Sequence, residues 1–196
     1  MATAAAALSC AAAARQAPEP VRTVFRIFSG TDEVTAATRV RVRVSGTTEE
    51  EGGIVLNGPA LAAELAPGIY DAQAIHHRRG RVLNVRWAER LVIVRYPDEG
   101  EEHLEVINFL PNFGALQLRL PPRTRADPAI VTIQGQDGAG ADRARVYPGS
   151  DYLLVVAPAG TYTVTLSLPT GPATLPPVEI PADRTRMRVL GGAETP

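Results

Sequence analysis

From Val21 onward the apolar positions recur with a period of two, the mark of strands that bury one face. The clearest case is TRVRVRVSG, beginning at Thr38. Alternation puts Val40, Val42 and Val44 on one side and Arg39, Arg41 and Arg43 on the other. VFRIF (Val24 to Phe28) reads as a strand with Arg26 facing out, and GGIVLNG as a short strand bracketed by glycines. GIYDAQAIHH and RVLNVRW flank Arg78-Arg79-Gly80, which predicts a hairpin turn. Trp87 runs in phase with Leu83 and Val85, so it is expected in the core. RLVIVRY is a continuous apolar run, expected to be a strand covered on both faces. Asp98 to Glu102 then reads as a solvated turn into HLEVINF.

Leu110 to Gly114 (LPNFG) interrupts the alternation and is expected to be a linker. Seven further candidate strands follow: ALQLRL, AIVTIQGQ, RARVYPG, YLLVVAP, TYTVTLSL, LPPVEIP and RTRMRVL. Pro121-Pro122, Asp137-Gly138, Pro148-Gly149 and Pro169-Thr170-Gly171 supply turns between them. Helix is nearly absent. Pro59 to Pro67 (PALAAELAP) has the composition for one helical turn, and the stretch from Asp32 is a weaker case. The pattern predicts an all-β chain of two tandem small β-sandwich modules, 21–110 and 111–196, behind a segment 1–20.

One phrase occurs at the equivalent place in each half, LAPGIYDAQA from Leu65 and VAPAGTYTVTL from Val156. Proline holds the preceding residue extended. Glycine allows a reversal at positive φ or a close backbone contact. Tyrosine is expected to bury its ring and to bond a backbone group with its hydroxyl at the rim. Pro67, Gly68 and Tyr70 carry the phrase in the first half, and Pro158, Gly160 and Tyr162 in the second. With Val164, Val178, Ile180 and Val189, the second copy resembles the prealbumin-like (transthyretin-like) sandwich modules of the PEGA and carboxypeptidase-regulatory-like group. The resemblance implies small bacterial surface modules, either prealbumin-like or more loosely immunoglobulin-like, that serve as binding or spacer units. It brings no catalytic residues to transfer, and fold alone does not supply function.

Composition narrows the partners. Across 196 residues the net charge is −1, so no global field draws the chain to nucleic acid. All 20 basic residues are arginine, and Cys10 is the single cysteine, which rules out an intrachain disulfide. The small-residue run from Ala2 to Ala14, ahead of Arg15-Gln16-Ala17 and Pro18-Glu19-Pro20, resembles a secretory segment with cleavage near Ala14 or Ala17, although it lacks a basic start. Residues 1–20 are therefore expected to be a signal peptide or flexible tail, and the chain to be extracytoplasmic, periplasmic or secreted. No run reaches the roughly 20 strongly apolar residues of a membrane span.

Candidate chemistry is sparse. His76 and His77 are adjacent and would point to opposite faces of a strand, so only one could join His103 at a metal. A small metal-assisted hydrolase built on that pair is the weakest reading, and no metal or cofactor is expected. The acidic turns Glu49-Glu50-Glu51 and Asp98 to Glu102 lack the alternating order of a calcium loop. The stripe of Arg39, Arg41 and Arg43, extended by Arg26 and Arg86 if their strands are neighbours, is either a charged protective face or an anion- or partner-facing surface. The expectation is a non-catalytic exported module that binds a protein partner or a surface polysaccharide, or acts as a spacer. A carbohydrate-binding module is the alternative, weakened by a single tryptophan placed in the core.

Overall fold

The computed structural model describes residues 18–48, 53–95, 102–119, 129–136, 141–146, 152–168 and 171–189. The N-terminal segment read as a signal, the acidic turns at 49–51 and 98–101, and several of the proline turns lie outside them. The first half contains β1 (Val21–Ser29), β2 (Asp32–Glu33), β3 (Thr38–Val44), β4 (Ile54–Leu56), β5 (Leu61–Leu65), β6 (Gly68–Arg78), β7 (Arg81–Ile93) and β8 (Glu102–Asn108). The second contains β9 (Phe113–Arg119), β10 (Ala129–Gly135), β11 (Ala141–Val146), β12 (Tyr152–Pro158), β13 (Gly160–Leu168), β14 (Gly171–Thr174), β15 (Val178–Ile180) and β16 (Thr185–Val189). The only helical piece among the described residues is a 3-10 turn, Thr35–Ala37. Pro59 to Pro67 is not helical. It supplies β5, whose pairing with β1 overrides the local propensity of an alanine-rich run.

The two halves use one strand plan. In the first, β1 pairs antiparallel with β5 and parallel with β8, and a second sheet runs β4-β3-β6-β7. In the second, β9 pairs antiparallel with β12 and parallel with β16, and the other sheet runs β11-β10-β13, with β14 and β15 both on β13. Each half closes on its own core. Phe25, Ile27, Val40, Val42, Leu61, Tyr70 and Ile93 fill the first. Leu116, Leu118, Val131, Ile133, Tyr162, Val164 and Ile180 fill the second.

A third apolar cluster joins them. Phe28 of β1 and Leu104 and Val106 of β8 meet Ala115 of β9 and Val156 of β12. The sheet carrying β1 thus packs on a core on one face and on the second module on the other. Four sheets are stacked, and the outermost are β4-β3-β6-β7 and β11-β10-β13-β14. Arg26, expected on a solvent face, is half-buried at this junction and paired with Glu33 at 3.0 Å.

The stretch read as a linker is a tight, fastened turn. Asn108 is buried; its amide accepts from the backbone N–H groups of Gly30 and Leu110 and donates to the Gly30 carbonyl, at 2.7–3.0 Å. On the other side, Ala159 N–H donates to the Asn112 carbonyl and Asp183 N–H to that of Phe113. Gly114 is required here by space. A Cβ would lie 2.0 Å from the Pro181 carbonyl oxygen and 2.9 Å from Ile180 Cγ2.

Candidate binding face

Both tyrosines of the repeated phrase occupy the same corner. Each ring is buried, and Tyr70 Oη donates to the carbonyl of Ala66 at 2.8 Å while Tyr162 Oη donates to that of Pro158 at 2.6 Å. The acceptor is four residues upstream in both copies, as in a tyrosine corner. Gly68 and Gly160 do not adopt positive φ, contrary to one of the two roles expected of them. Each lies under the ring of the tyrosine two positions on, where a Cβ would be 3.4 Å and 3.7 Å from the ring edge. Burial raises the pKa of the Tyr70 hydroxyl above its ordinary value, holding it protonated.

The arginine ladder of β3 forms as the alternation predicts. Val40 and Val42 are buried in the core, and Arg39, Arg41 and Arg43 lie on the outer face of β4-β3-β6-β7. Val44 is half exposed at the strand end. Arg39 Nε donates to Asn57 Oδ1 at 2.9 Å. Arg43 lies 3.9 Å from Asp71 and, more closely engaged, stacks its guanidinium 4.9 Å from the ring centre of Trp87. Arg86 does not extend the stripe. It is on the opposite face of β7 and pairs with Asp183 of the second module. Nor does Arg26, which belongs to a different sheet.

Trp87 is the main departure from the sequence reading: it is 38% exposed, with Val85 at 52% and Leu83 at 48%. The cause is a bulge. Between the pairs Tyr70↔Leu91 and Ala72↔Ala88, the single residue Asp71 faces two residues of β7, Glu89 and Arg90. Arg90 has φ +58°, and its N–H donates to Asp71 Oδ1 at 3.0 Å. An inserted residue reverses the side chains beyond it, here as far as a second irregularity at Leu83, between His76↔Asn84 and His77↔Val82. Ile93 and Leu91 therefore point inward, whereas Trp87 and Val85, in the same sequence phase, point outward. The run RLVIVRY is accordingly not covered on both faces, and Val92 is half exposed.

The register then aligns one row across all four strands: Val55, Arg41, Gln73 and Trp87. Between β4 and Trp87 lies a shallow pocket of about 190 Å³, lined by Arg41, Arg43, Ile54, Val55 and Trp87. It offers guanidinium donors beside an exposed aromatic ring, which sequence reasoning had separated.

The histidines are not brought together. His76 stacks on Phe109 with ring centres 5.7 Å apart. His103 is buried on β8, six positions before Phe109 or roughly 20 Å along a strand, and Nε2 is 2.8 Å from Glu105 Oε1. No group of three or more metal-ligating side chains occurs among the described residues. His103 and Glu105 line a cleft of about 490 Å³ with Arg90 of β7 and Gln117 and Arg184 of the second module.

Neither a family model nor a curated protein matches the chain. Among solved structures it is similar to the Bacillus anthracis TIE protein, with TM-score 0.34 and 13% identity over 87% of this chain and 34% of that one. It is also similar to a candidate adhesin from Bacteroides ovatus (TM-score 0.30, 9% identity, 90% and 94% covered). A third is the C-terminal fragment of the pilus adhesin SpaC from Lactobacillus rhamnosus GG (0.26, 14%, 83% and 82%). The chain spans about a third of the length of the first. The fold described above rests on the strand pairing itself, and these remote likenesses add no detail to it. No described helix is long and apolar enough to cross a membrane.

Proposed function

We propose that this protein is a non-catalytic binding module of the cell exterior that engages an acidic surface polysaccharide through Arg39, Arg41, Arg43 and Trp87. The observation that carries the reading is Arg43 stacked on an exposed Trp87 beside Arg41. Guanidinium groups bond carboxylate or sulfate in bidentate fashion. An exposed indole offers a sugar ring a flat apolar platform. Trp87 on the surface also removes the objection that this chain lacks a ring for carbohydrate. Export rests on the pattern from Ala2 to Ala17. Two prealbumin-like modules, divided between 110 and 111 and descended from one duplicated unit, are supported by the shared strand plan and the repeated tyrosine hydrogen bond.

The test is retention of the purified protein on immobilised acidic polysaccharides, such as polygalacturonate and hyaluronan, against neutral dextran. Retention on the acidic supports that is lost in Trp87→Ala and in Arg41→Ala is expected. Equal retention on dextran, or none anywhere, overturns the reading. So does hydrolysis of any support that a single substitution abolishes.

A further inference from the structure

The β6–β7 hairpin carries a second surface, at the sheet edge beside the polysaccharide face, which does not depend on that reading. Among the described strands, β7 lies at the edge of its sheet with β6 as its one paired neighbour. Arg81 to Val85 are all exposed, and no described strand pairs with their far side. This edge is also apolar: Val82, Leu83 and Val85 are 55%, 48% and 52% exposed. Soluble proteins usually blunt such an edge with short length, proline or a bulge that twists it away. Here β7 carries an irregularity at Leu83, between the pairs His76↔Asn84 and His77↔Val82, but it runs for thirteen residues without a proline.

The charge around the edge is of one sign. From Ala72 to Ala88 there are four arginines and no acidic residue. Arg86 is paired with Asp183. The other three, Arg78, Arg79 and Arg81, are exposed at the turn, and their side chains make no hydrogen bond or ion pair among the described residues. The turn itself is a two-residue loop with Arg79 at φ +51° and Gly80 at φ +77°, the twist suited to a projecting hairpin.

We infer that the free edge of β7 accepts an extended peptide segment of a partner protein, one that alternates acidic and apolar residues and is added as a further strand. Main-chain bonds to the edge would supply affinity, and alternate side chains would supply selection. Apolar residues of the segment cover Val82 and Val85, while its carboxylates face the arginines of the turn. A second copy of this chain fits less well, because pairing β7 with itself brings two uncompensated basic turns onto one sheet edge.

The experiment titrates the full chain with a soluble ten-residue peptide alternating Glu and Val, and in parallel with its Lys-Val counterpart. Backbone amide shifts and hydrogen exchange are followed by NMR. Binding of the Glu-Val peptide with new protection confined to alternate amides between Arg81 and Trp87 is expected. The Lys-Val peptide should leave these amides unchanged. A triple variant, Arg78→Glu, Arg79→Glu and Arg81→Glu, changes only exposed turn residues and should weaken the Glu-Val peptide by about tenfold or more. Binding without protection in β7, equal binding of both peptides, or no binding overturns the inference. Protection of β7 in the unliganded protein that grows with its own concentration also overturns it, and assigns the edge to self-association.

Discussion

The two outermost sheets of the stack share a strand plan and differ in almost everything they show to solvent. The comparison can be made residue by residue, because the tyrosine corners set a common origin. Three positions beyond Tyr70, the row across the first sheet reads Val55, Arg41, Gln73, Trp87. Three positions beyond Tyr162, the corresponding row reads Arg143, Thr132, Thr165, Thr174, with Thr165 and Thr174 hydroxyls 3.4 Å apart. On the three strands after the first, one row carries Arg41, Gln73 and Trp87 and the other three threonines. All ten exposed large hydrophobic side chains among the described residues precede residue 111. Among the described residues the exposed apolar surface is thus concentrated in the first half, the half that carries the proposed binding row.

The strands that differ most are the partners of the tyrosine strand. In the first module that partner is one strand, β7, kept continuous by the bulge at Asp71 and Arg90. In the second it is broken into β14 and β15 around Pro176 and Pro177, which have no N–H to offer a ladder. A bulge bends a strand and turns its far half over, whereas a pair of prolines ends it. The first solution produces a projecting edge and an inverted apolar phase, the second a short strand pair.

The largest expected effect comes from spoiling the second module while leaving the first module's face untouched. Gly114→Val drives a side chain into the Pro181 carbonyl and should destabilise by about 3 kcal/mol or more. Urea unfolding followed by circular dichroism measures it. The next concerns the bulge. Asp71→Ala leaves the Arg90 N–H without its acceptor and should cost about 1–3 kcal/mol. If the bulge sets the phase of β7, the emission of the single tryptophan should shift as well. Unchanged stability and emission would separate the bulge from the exposure of Trp87.

Smaller effects test the likeness of the modules. Tyr70→Phe and Tyr162→Phe each remove one hydroxyl donor from a buried corner and should each cost about 1 kcal/mol. A large inequality would mean the corners are not equivalent. The smallest effect is on pH dependence. The hydrogen bond from Arg26 holds the Glu33 carboxyl below its ordinary value, with a further bond from Thr35 acting the same way. A depressed carboxyl contributes stability above its unfolded value of roughly 4.3, and that contribution is lost as pH falls through the folded value. Glu33→Gln should therefore narrow the gap between stability at pH 6 and at acid pH, by less than about 1 kcal/mol because the pair is partly solvated.

Much of this architecture was legible in the chain because it is local. Val40 and Val42 against Arg39, Arg41 and Arg43 needs only the two-residue period, and Arg79-Gly80 needs only a turn between apolar runs. The role of Tyr70 and Tyr162 followed from a ring that must be buried with a hydroxyl that must be bonded. What escaped is non-local. The phase of Trp87 is decided by Asp71, sixteen positions earlier in sequence and on the neighbouring strand, and no glycine marks the positive φ of Arg90. His76 and His103 were candidate partners only until the register of β8 set them at opposite ends. The fastening of LPNFG depends on Asn108 reaching Gly30, 78 residues away.

The central claim is that the Arg41–Trp87 row makes the first module the binding one. Grafting the second module's chemistry onto it tests this most directly. Arg41→Thr with Trp87→Thr converts the row to hydroxyls at exposed or half-exposed positions, where stability should change by less than about 0.5 kcal/mol per site. Retention on polygalacturonate, measured for this variant and for a control carrying Arg188→Thr in the second module, is predicted to fall to background for the graft and to persist in the control. Undiminished retention by the grafted protein, with its fold intact by circular dichroism, would contradict the account.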